Sequence, residues 1–428
     1  MSFGRSVASG LRGFGGGLIA AFVRKTLALA IGLLAIVALL QRPARAEEFD
    51  LLHLWQTESE RQAVAVLRQA VEREGLVWRE HVVDGNFLGV RARFSERVAL
   101  RRPPSAVFWI GGRDIGSMID EGLFRAVRTA PGQPKLKEFL VPEVLQIVAY
   151  GDGYTAVPVG IHLQNFVVYS RSIFDKLSLK TPRSWQEFLA AAPTILKAGY
   201  APLSMSDQLW QVRFLFASIL AEQMSDSELN ALLDRSSVAS PAVRTKLRRA
   251  LEIFAQLRPF TNANYRNLDW EKVALAVKNN EAAAVVMGDF LAPLFADDRR
   301  FECGLAPGSK FVQWSLDVLV FPRAEDDRQT VAQDAAIRAW TQPSVLRQYV
   351  AKKGGVSVVA APSTEGQSVC AQQSAVAWAS GVPRVTLVND LWTGQLSRLS
   401  SIASELLGNA PKPIDEVTEL MLVALKSH

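Results

Sequence analysis

The chain is poor in the residues that build metal clusters and redox centres. Of 428 residues, four are histidine and two are cysteine. The histidines, His53, His81, His162 and His428, are scattered with no metal-ligand spacing, so no metal and no cofactor is expected. The chain also lacks a G-x-S-x-G elbow, a P-loop, an H-E-x-x-H helix and a dinucleotide fingerprint, which argues against the common hydrolase, NTPase and dehydrogenase designs. Gly13 to Gly17 is glycine-rich but lacks the last glycine and follows no strand. There is no low-complexity tract and no repeat at solenoid spacing. After residue 46 no apolar run is long enough to cross a bilayer.

Acidic residues are missing from one place in particular. The first 46 residues carry six Lys/Arg and no Asp/Glu, and the whole chain has 48 basic and 42 acidic residues. Everything after Ala46 therefore holds 42 of each sign and is neutral overall. The basic surplus belongs to the leader and gives no support to nucleic-acid binding. Arg5, Arg12, Arg24 and Lys25 precede an apolar run from Leu27 to Leu40, followed by Ala44-Arg45-Ala46, an A-x-A cleavage pattern. This reads as a secretory signal cut after Ala46, placing the protein in the periplasm. The alternative is an uncleaved anchor, although the run is shorter than the ~20 residues a span requires. The Arg24-Lys25 pair is a poor twin-arginine match, so export as an unfolded chain is expected.

Removing 46 of 428 residues leaves 382, more than one ordinary core and suited to two lobes. Strand-like runs at Phe49–Trp55, Leu76–Val83 and Ser105–Ile110 alternate with helical patterns at Glu58–Glu74 and from Asp114 to Glu121. That alternation predicts an α/β lobe with a parallel sheet. Tyr154–Tyr169 reads as paired strands interrupted at Pro158 and Gly160, after which the pattern becomes mostly helical. Ser184-x-x-Glu187 and Ser225-x-x-Glu228 are capping boxes. Helices are expected at Leu209–Glu222, Val243–Leu257, Asp269–Lys278, Val331–Thr341, Pro343–Lys352 and Ile414–Lys426, and strands at Ala282–Met287 and Trp314–Phe321. Gly288-Asp289-Phe290 is expected to start a helix. Cys303 and Cys370 are the only cysteines; in an oxidising compartment they form a candidate disulfide, with two unrelated buried thiols as the alternative.

Six segments, in order, resemble the extracytoplasmic sugar-binding proteins of ATP-driven (ABC) importers, especially the glucose-type branch. They are Trp55 with Glu60; Pro103-Pro104 through Gly112-Arg113-Asp114-Ile115; Val157 through His162 and Asn165; Pro182 through Trp185 and Phe188; Trp270 followed by Glu281 through Asp289-Phe290; and Ala306 through Gly308 with Asp317 and Lys353-Gly354. The resemblance implies a type II-like periplasmic-binding-protein fold: two α/β lobes, a hinge of two or three crossings, and a ligand in the interlobe cleft. It implies a first lobe from 47–159 and 306–356 and a second from 160–305 and 357–428. It also suits a Cys303–Cys370 bridge. The implied partners are a small carbohydrate and the inner-membrane permease of an ABC importer, or a membrane sensor instead of a permease, with the protein acting as a monomer.

A sugar offers apolar C–H faces and a rim of hydroxyls, so its site needs aromatic planes and groups that both donate and accept. Trp55, at a strand end, is a candidate for stacking, and Glu60, in the first helical turn, for accepting from hydroxyls. Each also has a plain structural reading, in the core and on the helix dipole respectively. Asp114 reads either as a ligand contact or as an N-cap. Trp210 and Trp270 divide between cleft and core. Asp317 is the more informative carboxylate, because a charge inside Leu316-Asp317-Val318-Leu319-Val320 costs free energy unless it is paired or faces polar groups. Lys353 is a donor candidate, or a solvated lysine at a helix end. His162, Asn165 and Asp289 are expected to support hinge and cleft wall, with Asp289 also read as a helix cap. Several glucose-type positions depart from the family pattern: Leu54 precedes Trp55 where a second Trp is usual, Phe108 and Ile110 stand where polar residues are usual, and Phe290 replaces a Trp. The family's C-terminal cleft histidine is absent, with Asn389 and Asp390 nearest. A glycosidase would need two carboxylates flanking one bond, for which Glu60 with Asp317 is the only pairing of interest; no enzymatic activity is expected.

Overall fold

The computed structural model describes residues 47–428 apart from 130–131, 134, 235–238, 267, 296–298, 361–366, 388–390, 409–410 and 427–428. The leader, its cleavage site and the Asn389/Asp390 pair lie outside the described residues. The principal elements are β1 Glu48–His53, α1 Glu58–Arg73, β2 Val77–Val82, α2 Phe87–Ala99, β3 Ala106–Ile110, α3 Arg113–Asp120, β4 Val157–Leu163 and β5 Phe166–Ser170. Then follow α4 Trp185–Lys197, β6 Ala201–Ser204, α5 Leu209–Gln223, α6 Pro241–Gln256, α7 Trp270–Lys278, β7 Ala282–Met287, β8 Phe301–Leu305 and β9 Val312–Pro322. The chain ends with α8 Asp327–Trp340, α9 Pro343–Lys353, α10 Val369–Ala379, α11 Thr393–Ser404 and α12 Ile414–Lys426.

Two separate sheets organise these elements into two lobes. In the first sheet β1 is parallel to both β2 and β3, and β9 lies antiparallel to β3 on one side and to β4 on the other. The apolar run of β1 is buried, as expected of a parallel strand covered by helices on both faces. Helix α1 covers it with Ala63, Val64, Leu67, Ala70 and Val71, a single stripe at helical spacing. The second sheet has the order β8-β5-β7-β6. Its central strands β5 and β7 are fully buried between apolar helices, including α5, whose buried side chains lie on every side.

The chain passes between sheets at Gln164–Asn165, from β4 to β5, and again between β8 and β9. Asn165, wholly buried, ties these two passages together. Its amide nitrogen donates to Ser309 Oγ (3.2 Å) and the Phe311 carbonyl (2.9 Å), while its side-chain oxygen accepts from Gln313 N (2.9 Å). Gln164 adds a side-chain bond from Gln313 Nε2 at 2.9 Å. Each amide atom of Asn165 is thus satisfied by the opposite strand, which fixes where the chain can bend.

Pro158 and Gly160 do not interrupt β4 as expected. They sit inside one seven-residue strand and flank a register shift, where Asp317 faces Gly160 and Val318 faces Pro158, leaving Val159 as the extra residue. A bulge lets one strand absorb a residue and redirects the side chains beside it. Helices α2, α10 and α11 had no clear counterpart in the sequence reading. Gly288-Asp289-Phe290 begins a 3₁₀ segment, Asp289–Phe295, rather than an α-helix. Cys303 on β8 and Cys370 on α10 form a disulfide with Cα atoms 5.4 Å apart, holding α10 against the second sheet.

Candidate functional site

The site begins where β1 ends. The chain turns at Trp55–Thr57 and enters α1 through a capping box: Glu60 N donates to Thr57 Oγ1 (3.4 Å), while Glu60 Oε2 accepts from Thr57 N (3.0 Å) and Gln56 N (2.9 Å). The cap fixes the Glu60 carboxylate at the end of the first sheet. Its other oxygen lies 3.1 Å from Lys353 Nζ, the last residue of α9, with both side chains almost fully buried. Burial alone would push the Glu60 carboxyl up; the Lys353 ammonium and the Thr57 and Gln56 amides outweigh it and hold the group below its ordinary value.

A second charged group lies alongside. His162, on β4, donates or accepts at Nδ1 with Asp289 Oδ1 (2.9 Å), and its Nε2 is 3.3 Å from Asp317 Oδ2. The second contact is an ion pair without good hydrogen-bond alignment. Asp317 and His162 belong to the first sheet and Asp289 to the segment that follows β7 of the second, so the imidazole links the two lobes. Burial opposes a charge on His162, but Asp317 and the hydrogen bond to Asp289 prevail and raise it to about 9. The cluster sets the His162 imidazole and the Lys353 amine against the carboxyl groups of Glu60, Asp289 and Asp317. Such burial is tolerated only because every charge has an opposite neighbour. Gly355 makes this approach possible. It has φ +93°, and a Cβ there would lie 2.5 Å from the Ile161 carbonyl and 2.7 Å from His162 Nδ1.

Aromatic rings border the charges from both lobes. Phe290 lies 5.2 Å from Lys353 Nζ, and its ring centroid is 5.9 Å from His162, 5.1 Å from Trp270 and 6.0 Å from Trp210. On the first lobe, Trp55 packs on Phe108 (4.8 Å) and Tyr349 (5.7 Å). Among the described residues, Asp289 Oδ2 and the Tyr349 hydroxyl are buried without a hydrogen-bond partner. Carboxylates, an ammonium, an imidazole and flat apolar rings thus converge where the lobes meet. That set can accept from and donate to hydroxyls while covering an apolar ring face.

A family model for bacterial extracellular solute-binding proteins matches residues 90–298. A probable sugar-binding periplasmic protein of Rhizobium meliloti (strain 1021) is 27% identical over 323 residues, 73% of this chain and 76% of that relative. A protein of the same description from Mesorhizobium japonicum is 25% identical over 325 residues, again 73% of this chain and 76% of the relative. Over residues 90–298 the chain resembles the bacterial extracellular solute-binding proteins. Solved structures share the two-lobe fold. One, from work on xylan utilization by Caldanaerobius polysaccharolyticus, has a TM-score of 0.75 at 13% identity and covers 88% of this chain and 99% of its own. Another, the solute receptor AcbH, described as exclusively preferring β-D-galactopyranose, has a TM-score of 0.72 at 14% identity and covers 89% of this chain and 97% of its own.

Within this solute-binding fold the structure brings together Trp55, Glu60, Asp317, Lys353, His162 and Asp289, with Trp210 and Trp270 against Phe290. Asn165 stands apart, at the chain crossings. Asp114 is drawn elsewhere. It is the second residue of α3 rather than its cap, which is Gly112, and its Oδ2 accepts from the Thr393 hydroxyl at 2.5 Å with Arg91 at 3.6 Å. Asp289 is engaged by His162. Tyr349 was not foreseen as a site residue, although it precedes Lys353 by four positions and so shares its helix face. Thr57-x-x-Glu60 is a capping-box signature that also announced the position of Glu60.

Proposed function

We propose that this solute-binding protein captures a carbohydrate between its lobes and delivers it to the permease of an ABC importer. The observation that carries the reading is the convergence of Glu60, Lys353, Asp317 and His162 with the Trp55, Trp210 and Trp270 rings, drawn from both sheets onto one place. The curated relatives, described as probable sugar-binding periplasmic proteins, support the substrate class. In this reading the leader is removed after Ala46, the mature chain is a periplasmic monomer, and the lobes comprise 47–159 with 306–356 and 160–305 with 357–428. The strand crossings at 164–165 and between β8 and β9 lie near the limits at 159/160 and 305/306 and support those two. The protein binds rather than catalyses. Its family supports this, and so does Glu60, whose carboxylate is engaged by Lys353 and by the helix cap.

A ligand held by both lobes favours the closed arrangement by its differential affinity and stabilises the fold by mass action. A thermal-shift screen of the exported protein against mono- and oligosaccharides tests the reading, followed by calorimetry on the best ligand. Asp317→Ala is expected to cost about 1–3 kcal/mol of affinity by leaving polar partners unmatched, and Trp55→Ala a similar amount through lost ring contact. A sugar bound with affinity unaltered by both substitutions, or no sugar bound at millimolar concentration, overturns the proposal; the second result would favour a surface presented to a membrane sensor.

A further inference from the structure

A groove of about 490 Å³ lies outside the charged cluster, between α1 and the edge strand β2. Arg61, Val64, Ala65 and Arg68 line it along one face of α1, opposite Glu80 and Val82 of β2. His53 and Trp55 line it from the end of β1. The Trp55 indole borders both the groove and the cluster, its ring centroid lying 5.3 Å from that of His53 and 5.7 Å from that of Tyr349.

The groove contains an unusual polar pair. His53 is 1% exposed, and its Nδ1 accepts from the Trp55 amide at 3.1 Å. The ring proton is therefore on Nε2, where it meets no hydrogen-bond partner among the described residues. Burial lowers the imidazole to about 4, so it is a neutral donor at ordinary pH. Glu80 Oε2 is 4.0 Å away, too far for a direct bond, and is held there by Trp78 Nε1 at 2.9 Å. A donor and an acceptor this far apart suit one oxygen that accepts from the first and donates to the second. A hydroxyl meets both demands, whereas an ionised carboxylate or phosphate oxygen has no proton to donate to Glu80. The remaining lining joins apolar surface from Val64, Ala65, Val82 and Trp55 to the guanidinium groups of Arg61 and Arg68. That is the same mixture of apolar face and hydroxyl-directed donors that a sugar requires.

We infer that the groove between α1 and β2 is a second saccharide-binding site, in which one sugar hydroxyl bridges His53 Nε2–H and the Glu80 carboxylate. This inference rests on the carbohydrate reading of the cleft. Two indole N–H groups report the sites separately: Trp78 Nε1–H, bonded to Glu80, for the groove, and Trp210 Nε1–H, bonded to Gln208 at 2.6 Å, for the cleft. The experiment is a ¹H–¹⁵N titration of the exported protein with D-glucose, D-galactose, D-xylose and raffinose. The expected result is two saturation curves with different midpoints. His53→Phe removes the donor and Val82→Glu, at an exposed position, fills the groove with a like charge; each weakens the Trp78 curve tenfold or more and leaves the Trp210 curve in place. Asp317→Ala does the reverse. A Trp78 signal that never moves, or one that follows the Trp210 curve in every variant, overturns the second site and leaves the cleft reading standing. No response from either indole to any sugar overturns both.

Discussion

Replacing Lys353 by methionine should expose how the charged cluster is held together. The Lys353–Glu60 pair is 3.1 Å long, with side chains 4% and 6% exposed. Methionine fills much the same volume but leaves the Glu60 carboxylate buried without its counter-ion. Breaking a buried pair from one side costs about 3–5 kcal/mol. Two backbone amides, from Gln56 and Thr57, still hold the carboxylate, which places the expected loss near the lower end, ~3 kcal/mol. Against a typical total of ~5–15 kcal/mol this is a large fraction. Urea unfolding of the exported protein at pH 7 measures it as a lower midpoint at constant slope. The double variant Glu60→Gln/Lys353→Met removes both charges and should recover to within ~1 kcal/mol of the parent, because paired charges and neutral isosteres are often nearly equivalent. The single-variant deficit should also shrink on acidification, since a protonated Glu60 needs no counter-ion. A loss below about 1 kcal/mol, or a double variant no better than Lys353→Met, would refute the reasoning.

The buried imidazole gives an opposite pH signature. His162 is raised from 6.5 to about 9 in the folded protein, so its contribution is fully present below pH 6.5 and is lost as pH rises through 9; the amount is on the order of 3 kcal/mol, and unfolding midpoints from pH 6 to 10 should show a decline that His162→Gln flattens. His53, lowered to about 4, stabilises the fold above pH 6.5 and loses that contribution as pH falls towards 4, a loss absent in His53→Gln. Gly355→Ala should lower stability by ~1–3 kcal/mol in thermal melts, since its φ of +93° and the 2.5 Å approach to the Ile161 carbonyl admit no Cβ. Denaturing, non-reducing thiol counts should find no free cysteine, and reduction of Cys303–Cys370, 67 residues apart, should cost ~4 kcal/mol in the chain-entropy model.

Much of the first lobe was legible because its signals are local. The β1 run and the α1 stripe declare themselves by period and by flanking turn residues, and so does the Ala282–Met287 strand of the second lobe. Asp317 was informative for the same reason: a charge within an apolar strand demands a partner. That the partner would be His162, itself shared with Asp289, depends on β9 lying beside β4 and on a bulge at Val159, and neither leaves a mark at short range. Pro158 and Gly160 marked the right place but suggested a break where the chain makes a bulge. Helices α10 and α11 were missed because serine, alanine and glutamine dilute their apolar stripes. Asp114 is the second residue of α3 and not its cap, and its bond to Thr393 of another helix leaves no mark at short range in the sequence.

The proposed carbohydrate site lies where the two sheets bring Glu60, Lys353, Asp317 and the tryptophans together. The most direct measurement is a crystal structure of the exported protein with the tightest saccharide from the thermal-shift screen. The expected result is a sugar between the lobes, with hydroxyls within about 3.2 Å of the Asp317 carboxylate and the Lys353 ammonium and a ring face against an indole. A sugar seated away from these groups, with the Glu60–Lys353 and His162–Asp317 contacts undisturbed, would contradict it.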